Sequence, residues 1–137
     1  MKTVITFGTY DVFHVGHVNL LQRAASLGDQ LIVGVSTDKM NFDKKQRYPV
    51  YDEVDRMKIV NGLRYVNYCF EEESLDKKGE YIKRYGADIL VMGDDWEGRF
   101  DEFKDLCEVV YLPRTPSVST TQLIEVITTR QLSLIHI

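Results

Sequence analysis

The sequence predicts an α/β fold of the doubly wound type, built on a five-stranded parallel sheet. Five short apolar runs alternate along the chain with segments of helical periodicity. Two of these runs, 31–35 and 87–92, are apolar at nearly every position, as expected for strands that are buried on both faces. Parallel sheets of this kind bind ligands in the crevice at the carboxyl ends of their strands, so the segments that follow strands are the candidate sites.

The composition favours a single domain with a small partner. The chain has 137 residues, of which 44% are hydrophobic, enough for one packed core. A formal net charge of −4 argues against general binding of nucleic acid or membrane surfaces. Because no apolar run approaches a membrane span and no signal-peptide core precedes the first strand, we expect a cytoplasmic protein. In that compartment Cys69 and Cys107 should be reduced core thiols.

The first predicted strand and helix are joined by a turn that holds two of the three histidines. Residues 4–7 are typical of a strand, and apolar residues recur at helical spacing over 20–27. His14 and His17 would lie on one side of the first helical turn, where backbone N–H groups are unpaired and an anion can bind. Gly16 between them has no Cβ and would let a phosphate approach the backbone closely. We interpret this turn as a phosphate site; helix capping and metal ligation are the alternatives, although metal-binding pairs on helices are usually four residues apart.

The second predicted strand is followed by a basic segment. Residues 31–35 form the strand, and residues 36–49 are predicted to be a polar loop on the ligand side of the sheet. Lys44 is one of its basic residues, for most of which solvent exposure alone is the simpler explanation. Residues 52–63 then predict a helix capped by Asp52. Its predicted buried stripe is Val54, Met57, Val60 and Leu63, with Arg56 and Arg64 on other faces.

The second half of the chain repeats the alternation. Strands are predicted over 65–70, 87–92 and 108–112, and helices over 74–85 and from Ser119, with a shorter helical stripe at Phe100, Phe103 and Leu106. Ser119 and Gln122 have the spacing of a capping box. The buried residues of the last helix are expected to be Leu123, Ile124 and Ile127.

Two further polar segments follow predicted strands. In Gly93-Asp-Asp-Trp-Glu-Gly98 a glycine would let a flat base lie against the backbone, and Asp95 could accept hydrogen bonds from ribose hydroxyls. Packing remains the alternative for Trp96 and helix capping for Asp94. Arg114 and Thr115 precede the last helix, whose N-terminus could form a second phosphate cradle facing the first. The alternative for Ser119 is a capping role alone.

Taken together, these motifs resemble a known family. Gly8-Thr-Tyr-Asp11 followed by His14-Val-Gly-His17 is similar to the signature of nucleotidyltransferases related to class I aminoacyl-tRNA synthetases, in the branch of small cytidylyltransferases. The segments 93–98 and 114–121 extend the resemblance to glycerol-3-phosphate cytidylyltransferases, over Lys2 to Ile127. Asn67 departs from the family pattern, which has aspartate at this position. The pair Pro116-Ser117 also departs from it. The resemblance implies a Rossmann-like nucleotidyltransferase fold in one domain, residues 1–131.

The resemblance also implies a reaction. CTP and sn-glycerol 3-phosphate would give CDP-glycerol and pyrophosphate, a precursor step for teichoic-acid-type polymers, by direct in-line attack. It implies Mg²⁺ on the triphosphate, with Asp11 as the nearest candidate side chain, and a homodimer. Two alternatives stay open: the same reaction on another phosphoalcohol, such as phosphoethanolamine or a polyol phosphate, and a non-catalytic nucleotide-binding regulatory module.

The family's functional residues can be carried over to matching positions of this sequence. Catalytic roles go to His14, His17, Lys44 and Arg114. CTP binding goes to Thr9, Tyr10, Asp11, His14, Gly16, His17, Gly93, Asp95, Arg114, Thr115, Ser119 and Thr120. Binding of the acceptor phosphate goes to Lys44, Arg56 and Arg64.

The last six residues, 132–137, depart from the resemblance. They are apolar and carry no helix-stop residue. A common transposase adaptor, read in frame, would encode them, so we interpret 132–137 as a non-native tail and exclude His136 from the site.

Overall fold

Five parallel strands form a sheet at the centre of the computed structural model, which describes residues 1–116 and 119–135. The strands are β1 (Thr3–Gly8), β2 (Gln30–Ser36), β3 (Tyr68–Glu72), β4 (Ile89–Gly93) and β5 (Glu108–Leu112). Their order in the sheet is β3-β2-β1-β4-β5, and every neighbouring pair is parallel. The predicted doubly wound sheet is therefore confirmed. Its winding reverses between β1 and β4, the point where such sheets bind ligands.

Helices cover both faces of the sheet. They are α1 (Val15–Ala25), α2 (Asp38–Lys45), α3 (Glu53–Asn61), α4 (Lys78–Arg84) and α5 (Thr120–Ile135), with short 3₁₀ segments at Leu75–Lys77, Asp94–Trp96 and Asp101–Asp105. Two apolar clusters fill the space between sheet and helices. One gathers around Val4, Leu21 and Val33, and the other around Ile5 and Phe70. Alternate residues of β1 thus point into opposite layers.

The predicted loop 36–49 contains a helix that sequence periodicity does not show. Thr37 caps α2, because its hydroxyl accepts the N–H of Met40 at 3.1 Å. Asn41 is buried and uses its amide on Ser36 and Thr37, which ties α2 to the end of β2. These polar contacts stabilise the helix, which has little apolar surface, and the loop prediction was wrong for residues 38–45.

The buried face of α3 also differs from the prediction. Val54, predicted to be buried, is 69% exposed, whereas Arg56 is fully buried with Val60. The helix is turned so that the Arg56 guanidinium lies against backbone carbonyls, a contact that an apolar-stripe argument cannot anticipate. Likewise Ile127, predicted to be buried, is 58% exposed.

Strand β3 begins at Tyr68, three residues later than the predicted strand 65–70, and Asn67 lies just before it. Its side chain accepts the N–H of Leu31 at 2.8 Å, and its own N–H donates to the Leu31 carbonyl at 2.9 Å. The asparagine thus aligns the start of β3 with β2, and this contact needs an acceptor but no charge. The two cysteines are free and half-buried, and burial raises the pKa of Cys69 to about 11.

Helix α5 continues through Ile135, beyond the predicted domain end at 131. The non-native origin of 132–137 stays a prediction, and Ser117 and His136 lie outside the described residues. Among the helices that the structure describes, none combines the length and apolarity needed to cross a membrane.

Candidate active site

A cleft of about 670 Å³ opens at the carboxyl ends of β1, β4 and β5. All the residues predicted to bind CTP line it: Thr9, Tyr10, Asp11, His14, Gly16, His17, Gly93, Asp95, Arg114, Thr115, Ser119 and Thr120. They come from four separate stretches of sequence, which the parallel sheet brings to one edge. The structure thus places the predicted CTP residues together; what they bind stays a prediction.

The two histidines form a stacked pair at the start of α1. His14 is the N-cap, and its Nδ1 accepts the N–H of Gly16 at 3.0 Å. His17 Nδ1 accepts the N–H of His14, also at 3.0 Å, and the two ring centroids are 3.8 Å apart. A Cβ at Gly16 would lie 2.7 Å from His14 Cε1, so the ring can occupy this position only beside a glycine.

These contacts fix the proton positions on both rings. Because each Nδ1 accepts a backbone N–H, each neutral imidazole carries its proton on Nε2. Burial, then the charge of His14, lowers the pKa of His17 to about 4, although Asp11 opposes the shift. Burial and the charge of Arg114 lower the pKa of His14. At neutral pH the cleft therefore has two uncharged imidazoles, each with an Nε2–H available for donation to a ligand.

Asp11 is bonded to backbone amides. Its carboxylate accepts the N–H groups of Val50 at 2.8 Å and Tyr51 at 2.9 Å, and also that of Val12 at 3.1 Å. The side chain is nearly buried at 9% exposed. The carboxylate therefore holds backbone at the cleft wall, and the contact of Asp11 with CTP, or with Mg²⁺ on the triphosphate, stays a prediction.

The end of β4 carries the candidate nucleoside pocket. Gly93 and Asp95 both line the cleft, and a Cβ at Gly93 would meet Asp95 Oδ1 at 2.7 Å. The glycine thus makes room for the carboxylate at the strand end. Trp96 is half-buried, packs on Phe100 with centroids 5.5 Å apart, and also lines the cleft. Both the packing role and a contact with a ligand are compatible with this position.

The N-terminus of α5 faces the histidine pair from the other side. Ser119 accepts the N–H of Gln122 at 3.1 Å, so its capping role is confirmed. Thr120 donates its hydroxyl to the Asp11 carbonyl at 2.8 Å. On the approach to the helix, Thr115 accepts a hydrogen bond from Asn19 of α1 at 3.0 Å. Arg114 is exposed beside them, so two helix N-termini and a guanidinium meet at one cleft, an arrangement that can hold an anion.

Comparison with known proteins agrees with this arrangement. A family model described as cytidylyltransferase-like matches residues 5–126. The chain belongs to this family.

Two relatives of this cytidylyltransferase-like chain are glycerol-3-phosphate cytidylyltransferases. The Bacillus subtilis protein is 49% identical, and the match covers 91% of this chain and 96% of the relative. The Staphylococcus aureus protein is 46% identical, with 90% and 92% covered. The fold is shared with the crystal structure of a lipopolysaccharide core biosynthesis protein from Thermoplasma volcanium, at a TM-score of 0.75 and 21% identity, covering 84% of this chain and 98% of that one.

The residues predicted for the acceptor phosphate of this cytidylyltransferase-like chain do not all lie at the cleft. Arg56 is fully buried and uses its guanidinium on protein acceptors, so it cannot bind a phosphate. Arg64 is exposed on the segment after α3 and contacts Tyr65, away from the cleft lining. Lys44 does not itself line the cleft, but its Nζ is 5.7 Å from the ring centroid of Trp96, which does.

The side of the cleft at the end of α2 receives its positive charge from residues to which the sequence pattern assigned no role. Lys45, the last residue of α2, and Arg47 line it, together with Tyr48. The basic run was visible in the sequence, but which of its members faces the ligand depends on α2, which was not predicted. We call residues 46–52 the 46–52 loop.

Metal ligands from the chain are not evident in this family member. In residues 1–116 and 119–135, no group of three or more His, Cys, Asp or Glu side chains could hold a metal ion. The donor set of these residues therefore does not form a protein cage for Mg²⁺. Mg²⁺ stays a prediction, as an ion that arrives with the triphosphate.

Tyr10 provides a stability test. It is 4% exposed, and within the described residues its hydroxyl has no hydrogen-bond partner. Burial accordingly raises the pKa of Tyr10. Because an unpaired buried hydroxyl costs about 1–3 kcal/mol, Tyr10→Phe should raise the free energy of unfolding by about 1 kcal/mol in urea denaturation.

Tyr81→Phe is the matched control for this substitution. The Tyr81 hydroxyl is also in the core but accepts the N–H of Glu73 at 3.1 Å, so its removal should destabilise the protein. Loss of stability in both variants would show that Tyr10 has a partner after all.

Proposed function

We propose that the chain transfers a cytidylyl group from CTP to sn-glycerol 3-phosphate, forming CDP-glycerol and pyrophosphate. The observation that carries the proposal is the pair of neutral histidines, His14 and His17, facing the N-terminus of α5 across one cleft. The two relatives named above, matched over about nine-tenths of the chain, support the choice of substrates. The proposal includes a homodimer acting in the cytoplasm and a role in teichoic-acid-type polymer synthesis.

In the proposed reaction a phosphate oxygen of the acceptor attacks the α-phosphorus of CTP in line, and pyrophosphate leaves. The acceptor is a phosphate monoester with a second pKa near 6, so its oxygen is already ionised at pH 7 and needs no general base. This agrees with two histidines whose lowered pKa values leave them uncharged. Bound Mg²⁺ would supply charge neutralisation on the triphosphate.

The chain's own residues then position the phosphates and stabilise charge. The Nε2–H groups of His14 and His17 donate to oxygens of the triphosphate, where negative charge develops as the bond to pyrophosphate breaks. Arg114 and the amides of the α5 N-terminus hold the leaving phosphates. The ribose is assigned to Asp95 at the end of β4.

The direct test is pyrophosphate release by the purified protein. CTP, ATP, UTP and GTP are each offered with glycerol 3-phosphate, phosphoethanolamine and a polyol phosphate, and the nucleotide product is identified by mass spectrometry. Turnover should be highest with CTP and glycerol 3-phosphate. Preference for another phosphoalcohol would change the assigned acceptor. CTP binding without turnover on any acceptor would contradict catalysis and favour a regulatory module.

Lys45→Ala should raise the KM for glycerol 3-phosphate by about tenfold and that for CTP much less. With the nucleoside at β4 and the triphosphate at α1 and α5, Lys45 lies on the remaining side of the cleft, at the end of α2. A hydrogen bond to a charged group contributes about 1.5–3 kcal/mol, which corresponds to at least a tenfold change.

Lys39→Ala is the control for that variant. Lys39 is exposed on the same helix but does not line the cleft, so both KM values should stay at the wild-type level. Lys44→Ala tests the prediction, made from the sequence, that Lys44 binds the acceptor phosphate and that its loss raises the KM for the phosphoalcohol more than the KM for CTP. A selective rise in the KM for CTP in the Lys45 variant would move that lysine to the triphosphate.

A further inference from the structure

Asp11 contacts two other parts of the cleft through different groups. Its carboxylate accepts the N–H groups of Val50 and Tyr51, at 2.8 and 2.9 Å, both in the 46–52 loop. Its backbone carbonyl accepts the hydroxyl of Thr120, the first residue of α5, at 2.8 Å. One residue of the histidine turn therefore joins the 46–52 loop to the N-terminus of α5.

We propose that Asp11 is a positioning residue, whose carboxylate holds the 46–52 loop for the acceptor phosphate while its carbonyl holds α5 for the triphosphate. This inference rests on the function proposed above. It separates two roles within one residue: the side chain governs the acceptor half of the site, and the backbone governs the nucleotide half.

Polar contacts hold the 46–52 loop in position: the two bonds to the Asp11 carboxylate, and the bond from Arg56 Nε to the Tyr51 carbonyl at 2.9 Å. Val50 is 64% exposed and Tyr48 66% exposed, so burial of their side chains contributes little to holding the loop down. Yet the Val50 amide is bonded to a carboxylate that is only 9% exposed. Two adjacent amides on one carboxylate form a strong anchor, because hydrogen bonds to an ionised acceptor are stronger than those between neutral groups.

The backbone around Asp11 is shaped for this contact. Its two neighbours, Tyr10 and Val12, have φ angles of 56° and 45°, in the left-handed region. Such values are rare for residues with a side chain, and most of all for a β-branched valine. Strained positions of this kind persist where surrounding contacts hold them, and here they direct the Asp11 carboxylate towards the loop.

Asp11→Asn tests the side-chain half of the proposal. Asparagine keeps the size of the side chain and the carbonyl that Thr120 contacts, but it offers one acceptor oxygen and an NH₂ group that repels the second amide. The KM for glycerol 3-phosphate should rise about tenfold, while the dissociation constant of CTP should stay at its wild-type value. Loss of a negative charge alone would tighten binding of an anion, so a rise in KM cannot be a simple charge effect.

Asp52→Asn is the matched control. Asp52 ends the same loop and caps α3 by accepting the N–H of Asp55 at 2.9 Å, a role that asparagine fills equally well. The substitution removes one negative charge next to the loop without releasing the loop, so the KM for glycerol 3-phosphate should stay the same or fall slightly, and the dissociation constant of CTP should not change. A similar rise in the KM for glycerol 3-phosphate in this control would overturn the positioning role.

Thr120→Val tests the backbone half. It removes the hydroxyl that donates to the Asp11 carbonyl and keeps the shape of the side chain. The KM for CTP should rise more than the KM for the acceptor. The opposite selectivity, or no effect on either, would overturn the assignment of the carbonyl to the nucleotide half.

Hydrogen exchange provides a readout that does not depend on activity. In the wild-type protein the amides of Val50 and Tyr51 should exchange slowly in spite of their position on an exposed loop, and in Asp11→Asn they should exchange faster. Fast exchange in the wild type, or equal rates in both proteins, would overturn the proposal even if the variant is hard to fold. A wild type with slow exchange that makes no CDP-glycerol would instead contradict the proposed function and leave the anchor intact.

Discussion

His17→Asn is expected to lower kcat by about 100- to 1000-fold with little change in CTP affinity or in stability. Asparagine Oδ1 lies as many bonds from Cα as imidazole Nδ1, so it can still accept the N–H of His14. Nothing in the asparagine side chain occupies the place of Nε2–H. The variant therefore removes the donor to the triphosphate and keeps the contact that closes the first turn of α1.

His17→Ala is the companion variant, because it removes both contacts. Its kcat should be as low as that of His17→Asn, but it should also lose about 0.5–2 kcal/mol of stability, the usual cost of a lost helix cap. Equal stability of the two variants would show that the His14–His17 contact contributes nothing to the fold. Turnover within a few-fold of the wild type in either variant would remove His17 from the mechanism.

The pH dependence tests the same geometry. Burial and the neighbouring His14 lower the pKa of His17 to about 4. The ring therefore stays neutral as pH falls through 6.5, and His17 should cause no change of activity there. Activity should fall when pH approaches 4, because a proton on Nδ1 breaks the bond from the His14 N–H. Between pH 6.5 and 4 the unfolded chain takes up this proton before the folded chain does, so stability should decrease as pH falls. NMR titration of the ring measures its pKa directly.

The strands and the cleft lining could be predicted because their signals are local in sequence. Each strand is a short apolar run, and the histidine turn sits between such a run and a helix. The rule that parallel sheets bind ligands at strand carboxyl ends then placed His14, Asp95 and Arg114 in one cleft, as the structure has them.

What could not be predicted depends on contacts between distant parts of the chain. The amides that engage Asp11 belong to Val50 and Tyr51, about forty residues later in the sequence. The acceptors that bury Arg56 are mostly backbone carbonyls, which leave no mark on the amino-acid pattern. In both cases the residue type indicated an ionic ligand, whereas the fold uses the charge to hold backbone.

Arg56→Met is expected to cost about 3–5 kcal/mol of unfolding free energy, the range for breaking a buried charge pair by removing one partner. The Arg56 side chain is 0% exposed, and its Nη2 is 2.7 Å from the carboxylate of Asp38. Its other nitrogens donate to three carbonyls, those of Tyr51 at 2.9 Å, Thr9 at 2.9 Å and Ser36 at 2.7 Å. Methionine fills a similar volume, so the loss would reflect the unpaired acceptors rather than a cavity.

Those acceptors explain why the effect should be large. Thr9 begins the turn after β1, Ser36 is the last residue of β2, Asp38 begins α2, and Tyr51 belongs to the 46–52 loop. The guanidinium thus joins four segments that surround the acceptor side of the cleft. Since domains of this size are stable by about 5–15 kcal/mol, the variant should lose a large part of its stability, measured as a shift in the midpoint of urea denaturation.

Arg56→Lys and Arg64→Met complete this last experiment. Lysine keeps the charge but lacks the planar fork, so it should still be destabilised, by less than the methionine variant. Arg64 is exposed, and its replacement should leave the urea midpoint unchanged. If instead Arg56→Met unfolds at the wild-type midpoint and raises only the KM for glycerol 3-phosphate, Arg56 binds the acceptor phosphate and the structural role fails. The buried position of the guanidinium predicts the reverse: unfolding at lower urea, with the rigid arrangement of Asp38 and the 46–52 loop lost before any substrate is added.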